Sequence, residues 1–269
     1  FKDKIPFKLL FTGQHVDLLS NVEGDIDKLT IEDGSNRLDS IVSSVMNNDS
    51  IFKDVDAVLV QGDTTSVFAV ALAAFHRKIK IIHLEAGLRT YNKNHPYPEE
   101  FNRRAVSVMA DIHLSPTELC TDNLNKERVD GKVFTVGNTV LDNLVDIQPV
   151  YTNKIVITMH RRENHHIIPD WFAAFDRLAK DNPQYEFIIP LHPNPNVQKH
   201  KSLLTHVKVV DPMEYDQFIR LLAEARLVIT DSGGLQEESS FFNKKCIVCR
   251  ETTERVEGMG TFAFMSSPD

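Results

Sequence analysis

Carboxylates and arginines crowd one stretch of this sequence, His83-Leu84-Glu85-Ala86-Gly87-Leu88-Arg89-Thr90, and continue through Pro98-Glu99-Glu100-Phe101-Asn102-Arg103-Arg104. The apolar run 79–84 reads as a strand that stops at a carboxylate, a glycine and an arginine. Pro98 then introduces a helix that opens on two more carboxylates. Glu85 is thus expected at the C-terminal end of a strand, and Glu99 and Glu100 at the start of a helix. Such positions face one crevice in an open α/β sheet. Carboxylates converging there beside arginines suit proton transfer to and from a substrate. The plainer reading is a good first helical turn, with acids favoured by the helix dipole. Asp63, in Gln61-Gly62-Asp63-Thr64-Thr65, poses the same choice. Spacing alone favours a turn residue that caps the helix beginning at Thr64.

A second set of residues suits an anion. Ser232-Gly233-Gly234 opens a helix over 235–242. Glycines let a ligand approach backbone N–H groups, and a helix N-terminus favours negative charge, so a diphosphate fits. Glu237 and Glu238 follow one turn in, where a carboxylate accepts hydrogen bonds from ribose hydroxyls. A serine N-cap with acids on the dipole explains the same pattern. Arg250 and Arg255, closing the next strand, favour the nucleotide. His160-Arg161-Arg162 can supply charge to a leaving phosphate. His165 and His166 are adjacent, so their side chains point apart and no metal pair is expected. Cys246 and Cys249 have redox spacing, but they lie inside an apolar run rather than at a helix N-terminus and read as strand residues.

These residues need a scaffold, and the pattern supplies one. Short apolar strands at 7–12, 57–60, 80–84, 111–115 and 132–136 alternate with helical spacing, and after a linker at 148–153 the alternation begins again at 155–159. Strands alternating with amphipathic helices indicate parallel, doubly wound sheets. The polar clusters GQH, GDTT, HLEAG, MHRRE, HPNP, DSGG and RETTER each follow a strand. The expected fold is therefore α/β, with two Rossmann-like domains facing across a cleft that gathers those clusters.

Bulk properties narrow the class. A chain of 269 residues, 42% of them hydrophobic, can build two cores. The net charge of −8 argues against nucleic acid or an anionic membrane as a partner. No apolar stretch approaches the ~20 residues needed to span a bilayer, and no signal peptide is recognised. Three cysteines do not suggest a disulfide framework. The expected location is the cytoplasm.

The ordered set TGQH, QGDTT, HLEAGLRT, PYPEEFNRR, VGNT, MHRREN, HPNP, TDSGGLQEE and RETTER resembles the non-hydrolysing UDP-N-acetylglucosamine 2-epimerase family from Thr12 to Arg255. Hydrolysing relatives typically carry a second glycine where Ala86 stands. The resemblance implies a GT-B-like fold, a UDP-sugar substrate, usually a homodimer, and neither nicotinamide nor metal. It implies a base that removes the proton at sugar C2 as UDP leaves C1, and a return from the opposite face. Carried over, Asp63, Glu85 and Glu99 match the acid/base carboxylates, and His160 the histidine assisting UDP. Gln14, Arg161, His192, Ser232, Gly233, Gly234, Glu238 and Arg255 fall at substrate- and UDP-binding positions. Domains are expected at 1–148 and 149–269, the first lacking the family's initial strand and Gly-Thr-Arg-Pro-Glu loop, the second its last helices. Val16 and Asp17 stand where the family usually has arginine and an acid or amide, at a regulatory sugar-nucleotide site of bacterial members. The alternatives are a GT-B glycosyltransferase, against which the carboxylate trio speaks, and a silent sugar-nucleotide-binding fragment.

Overall fold

The computed structural model describes residues 6–13, 26–32, 34–250, 253, 255 and 258–268. The chain divides into two compact units, Phe1–Asn138 and Thr139–Asp269.

The first unit contains, in order, β1 (Leu9–Phe11), β2 (Ile26–Lys28), α1 (Arg37–Met46), β3 (Ala57–Gln61), α2 (Thr65–His76), β4 (Lys80–Leu84), α3 (Glu99–Met109), β5 (Ile112–Ser115), α4 (Glu118–Glu127) and β6 (Lys132–Thr135). Strands β3, β4, β5 and β6 form a parallel sheet in that order, and β1 pairs with β2 in a separate parallel ribbon. The alanines of α2, Ala69, Ala71, Ala73 and Ala74, are fully buried. With no side chain beyond Cβ they let neighbouring elements approach the helix closely. Thr64 caps α2, its Oγ1 accepting the Val67 N–H at 3.4 Å. Asp63 is therefore not the cap, contrary to the reading that spacing alone favoured.

The second unit opens with a 3-10 turn, Thr139–Leu144. It continues through β7 (Lys154–Thr158), α5 (Ile168–Asp181), β8 (Glu186–Pro190), α6 (Pro195–Gln198), β9 (Lys208–Val210), α7 (Tyr215–Glu224), β10 (Leu227–Thr230), α8 (Gly233–Phe241), β11 (Lys245–Val248) and β12 (Ala263–Met265). All neighbours in its sheet are parallel, in the order β12-β11-β10-β7-β8-β9. Counted from β7, this is the Rossmann order, and it reverses between β7 and β10, where ligands bind in open α/β sheets. Ile155, Val156 and Ile157 are buried, the continuous apolar strand expected where helices cover both sheet faces. On one face Trp171, Phe172 and Phe175 of α5 fill the core, each worth roughly 1.5–3 kcal/mol of burial.

The division of the chain lies before the linker read at 148–153. Leu141, Leu144 and Ile147 pack with Ile219, Leu222 and Phe242, so this segment belongs to the second core. The three-residue strands β2, β9 and β12 escaped the sequence reading, because so few residues carry no period. Among the described residues, no helix is long and apolar enough to cross a membrane.

Candidate active site

At one end of the first sheet, Gln61 pairs in register with Leu84, so the residues after β3 and β4 leave the sheet side by side. The Gly62 N–H donates to the Leu84 carbonyl at 3.0 Å. Behind them His83 is fully buried, its Nε2 2.9 Å from the Gly62 carbonyl. Burial pushes its pKa down to about 4, so the ring is neutral at pH 7 and Nε2 is the donor. Glu85 itself sits at φ +65°, the left-handed region that non-glycine residues avoid. Such a conformation costs on the order of 1–3 kcal/mol and clusters at functional sites. Its Oε2 lies 3.6 Å from where a Cβ on Gly62 would stand. Gly87, at φ +93°, seals the turn: a Cβ there would lie 2.3 Å from the Cys120 carbonyl oxygen.

Asp63 is held by α3. Arg103 donates to its Oδ2 from Nε at 3.0 Å and again from Nη2, while Asn102 Nδ2 donates to its carbonyl at 2.9 Å. Arg103 Nη1 reaches Glu100 at 3.2 Å. Glu100 is fully buried and accepts the N–H groups of Thr90 and Tyr91 at 3.0 and 2.9 Å. It is thus a strut under the loop after β4, and not one of the converging reactive carboxylates. Glu99, the half-buried first residue of α3, precedes it. Arg89 is also structural: it is buried, grips Glu127 through Nε at 2.9 Å and Nη2 at 2.7 Å, and donates to Ser107 Oγ at 2.9 Å. Asp63 and Glu85 thus follow β3 and β4, whose ends are joined through Gly62, and Glu99 opens α3, which Asn102 and Arg103 bind to Asp63.

In the second unit the switch point is organised by Asp231, whose role the sequence did not disclose although it stands within the quoted DSGG cluster. It is fully buried at the end of β10. Its carboxylate accepts the His160 N–H at 3.2 and 3.0 Å, the Arg161 N–H at 2.8 Å and Asn164 Nδ2 at 3.1 Å. These donors curl the segment after β7 around the carboxylate and set His160 in place. The His160 ring stacks on His192, with centroids 5.2 Å apart and an angle of 17°. Its Nδ1 is 3.7 Å from Asp231 Oδ1. Burial nevertheless lowers the His160 pKa; Asp231 opposes the shift, and His192, Arg161 and His165 reinforce it. A bound diphosphate would add negative charge and favour the cation. Burial lowers the pKa of His192 as well. Its Nδ1 accepts the Asn194 N–H at 3.1 Å, placing the neutral ring's proton on Nε2.

Helix α8 begins beside this cluster. Ser232 is its N-cap residue but supplies no side-chain cap hydrogen bond; its N–H donates to Thr230 Oγ1 at 2.9 Å. A Cβ on Gly234 would meet nothing within 4 Å, so this turn is open to a ligand. Gly233 is buried at the helix start. Farther along α8, Glu238 is 4% exposed and accepts the Tyr215 hydroxyl at 2.9 Å. Arg255 Nη1 pairs with Glu237 at 3.3 Å. Arg250 is buried against Glu163, Nε to Oε1 3.0 Å. Gln14, with Val16 and Asp17, lies outside the described residues, as do Glu251, Thr252 and Glu254.

His165 Nε2 is turned toward the His160 carbonyl at 3.2 Å and is thereby occupied in the loop. No group of three or more potential ligands gathers among the described residues. Cys246 is in β11 and Cys249 just past it; both are free and buried, and burial raises both thiol pKa values, that of Cys246 to about 12. Such thiols are inert packing groups.

Known proteins resemble this chain over most of its length. A sequence model of UDP-N-acetylglucosamine 2-epimerase matches residues 2–265. The chain is 38% identical to UDP-N-acetylglucosamine 2-epimerase of Neisseria meningitidis, over 98% of this chain and 80% of that protein. It is 35% identical to the enzyme of that name from Campylobacter jejuni, over 96% and 77%. A crystal structure of the Neisseria meningitidis UDP-GlcNAc 2-epimerase bound to UDP-GlcNAc superposes with a TM-score of 0.76, covering 86% of this chain and 70% of that one. One from Methanocaldococcus jannaschii, in complex with UDP-GlcNAc and UDP, is 26% identical with a TM-score of 0.75, covering 93% and 75%.

Proposed function

This chain belongs to the UDP-N-acetylglucosamine 2-epimerase family, and from that premise we propose that it inverts C2 of a UDP-linked 2-acetamido sugar, interconverting UDP-GlcNAc and UDP-ManNAc. A base removes the C2 proton, the C1–oxygen bond breaks, and UDP departs with that electron pair to leave a 2-acetamidoglucal. A proton then adds to the opposite face of C2 while the UDP oxygen re-forms the bond to C1. Each step moves a proton or the C1–oxygen electron pair and none transfers a hydride, so this route draws on no electron carrier.

In this reading Asp63, Glu85 and Glu99 carry the protons. Glu85 has the strained backbone that marks a reactive strand end. Arg103 fixes the orientation of the Asp63 carboxylate through an ion pair. His160, with Arg161 and His192, takes the charge that develops on the departing diphosphate. The open first turn of α8, Ser232-Gly233-Gly234, offers backbone N–H groups to the phosphates. Glu238 accepts from the ribose, Arg255 supports the same end, and Gln14 is assigned to substrate by resemblance. The observation that carries the reading is the β7/β10 switch point, where the His160 and Arg161 N–H groups converge on the buried Asp231, which α8 follows at Gly233. Homodimeric assembly and a cytoplasmic location belong to the same proposal. The face of α3 bearing Phe101 and Val108, 53% and 74% exposed, is an apolar surface that self-association would remove from water.

The test is UDP-N-acetylglucosamine in deuterated buffer with the complete protein, followed by NMR. Exchange at C2 together with the manno epimer is expected. Binding without exchange, or transfer of the sugar to an acceptor, would overturn the reaction.

A further inference from the structure

We infer that Tyr215 is a positioning residue for ribose recognition, its hydroxyl holding one oxygen of Glu238 so that the other is presented to the ribose diol of a uridine nucleotide. This rests on the nucleotide site proposed above and adds to it a residue from a different helix.

Tyr215 is the first residue of α7 and remains 43% exposed, whereas Glu238, farther along α8, is 4% exposed. The phenol donates to Glu238 Oε1 at 2.9 Å. Among the described residues it is the only hydrogen-bond donor to that carboxylate. An ionised carboxylate offers about four acceptor sites, and a buried one left with a single donor is expensive unless something else satisfies it. A pair of vicinal hydroxyls does this, both O–H groups pointing at one carboxylate. Arg255 lowers the Glu238 pKa by its charge but makes its own close contact with Glu237.

The hydrogen bond does two things. It fixes the rotation of the carboxylate, so Oε2 has one direction instead of several. It also resists burial, which pushes the Glu238 pKa up, and so favours the anionic acceptor. Burial and the neighbouring carboxylate raise the phenol's own pKa, so Tyr215 stays a donor throughout the neutral range.

The experiment is calorimetry of UDP and 2′-deoxy-UDP on the complete protein, as wild type and as Tyr215→Phe. That substitution removes only an oxygen from a part-exposed ring, and a melting curve checks that the fold is kept. Wild type is expected to prefer UDP by roughly tenfold, the size of one charge-assisted hydrogen bond. Tyr215→Phe should lower UDP affinity by about fivefold or more while 2′-deoxy-UDP stays within about twofold, so the preference shrinks. In turnover, KM should rise with kcat held, the pattern of lost uniform binding. A wild type that does not discriminate overturns the ribose assignment of Glu238, and with it this inference. A wild type that discriminates beside a variant with the full preference overturns the role of Tyr215 alone. Equal weakening of both ligands in the variant does the same, since it marks a structural effect.

Discussion

In the unit Phe1–Asn138 the carboxylates of Asp63, Glu100 and Glu127 are anchored by ion pairs, whereas in Thr139–Asp269 the buried carboxylates of Asp231 and Glu238 accept hydrogen bonds from neutral donors. Asp63 and Glu100 share Arg103, and Arg89 is locked to Glu127. Asp231 instead takes two main-chain N–H groups and an amide, and Glu238 takes a phenol. The difference fits the roles proposed for the two units. A guanidinium fork fixes the orientation of an acid/base carboxylate. A diphosphate site gains from a positive group left uncommitted. Because Asp231 is satisfied by main-chain and amide donors, the Arg161 side chain is left outside any ion pair among the described residues.

The sharpest way to break this comparison is to neutralise the carboxylates proposed to carry the protons. Glu85→Gln and Asp63→Asn, made in the complete protein, should each lower turnover ~10²–10⁴-fold with UDP affinity kept. Steady-state rates and UDP calorimetry check this; near-normal turnover in both would return these residues to a purely structural role. Next, Arg103→Ala leaves Glu100 buried without its cation and should cost about 3–5 kcal/mol in urea unfolding. A loss below ~1 kcal/mol would mean that neutral donors suffice in the first unit too.

The third prediction uses His83. Its folded pKa of about 4 lies below the ordinary 6.5, so as pH falls the unfolded chain takes up the proton first. Stability from this group is therefore intact above pH ~6.5 and declines toward pH ~4, by up to roughly 1.4 kcal/mol per unit. Urea midpoints across that range should show the slope, and His83→Asn should flatten it. The smallest effect concerns the second unit: Arg255→Ala and Glu238→Ala should each weaken UDP binding by about 1.5–3 kcal/mol. Unchanged calorimetric affinity in both would remove the second unit's helix end from the nucleotide site.

The alternation of strands and helices, and the rule that polar clusters follow strands, were legible in the chain because both depend on residues close in sequence. The HLEAG strand end, the opening of α3 on Glu99 and the glycine start of α8 all appear where local pattern put them. Family resemblance added roles to Asp63, Glu85 and His160 that spacing could not assign. For Asp63, spacing pointed the wrong way, since it cannot distinguish which of two adjacent polar residues turns inward to cap.

Partnership across the fold was decided only by tertiary structure. Asp231 reaches His160 from 71 residues away, Arg103 reaches Asp63 from 40, and Tyr215 reaches Glu238 from 23. Nothing in the composition around Glu99 and Glu100 says that one is a half-buried surface carboxylate and the other a sealed strut. A carboxylate's role is set by what surrounds it after burial: donors satisfy it, cations hold its charge, or an open side leaves it for a ligand. Residue type and order fix which groups exist and which local elements carry them. Which of those groups meet, and hence which are already satisfied, is a property of packing, because the pairs that matter are brought together only when the sheets form.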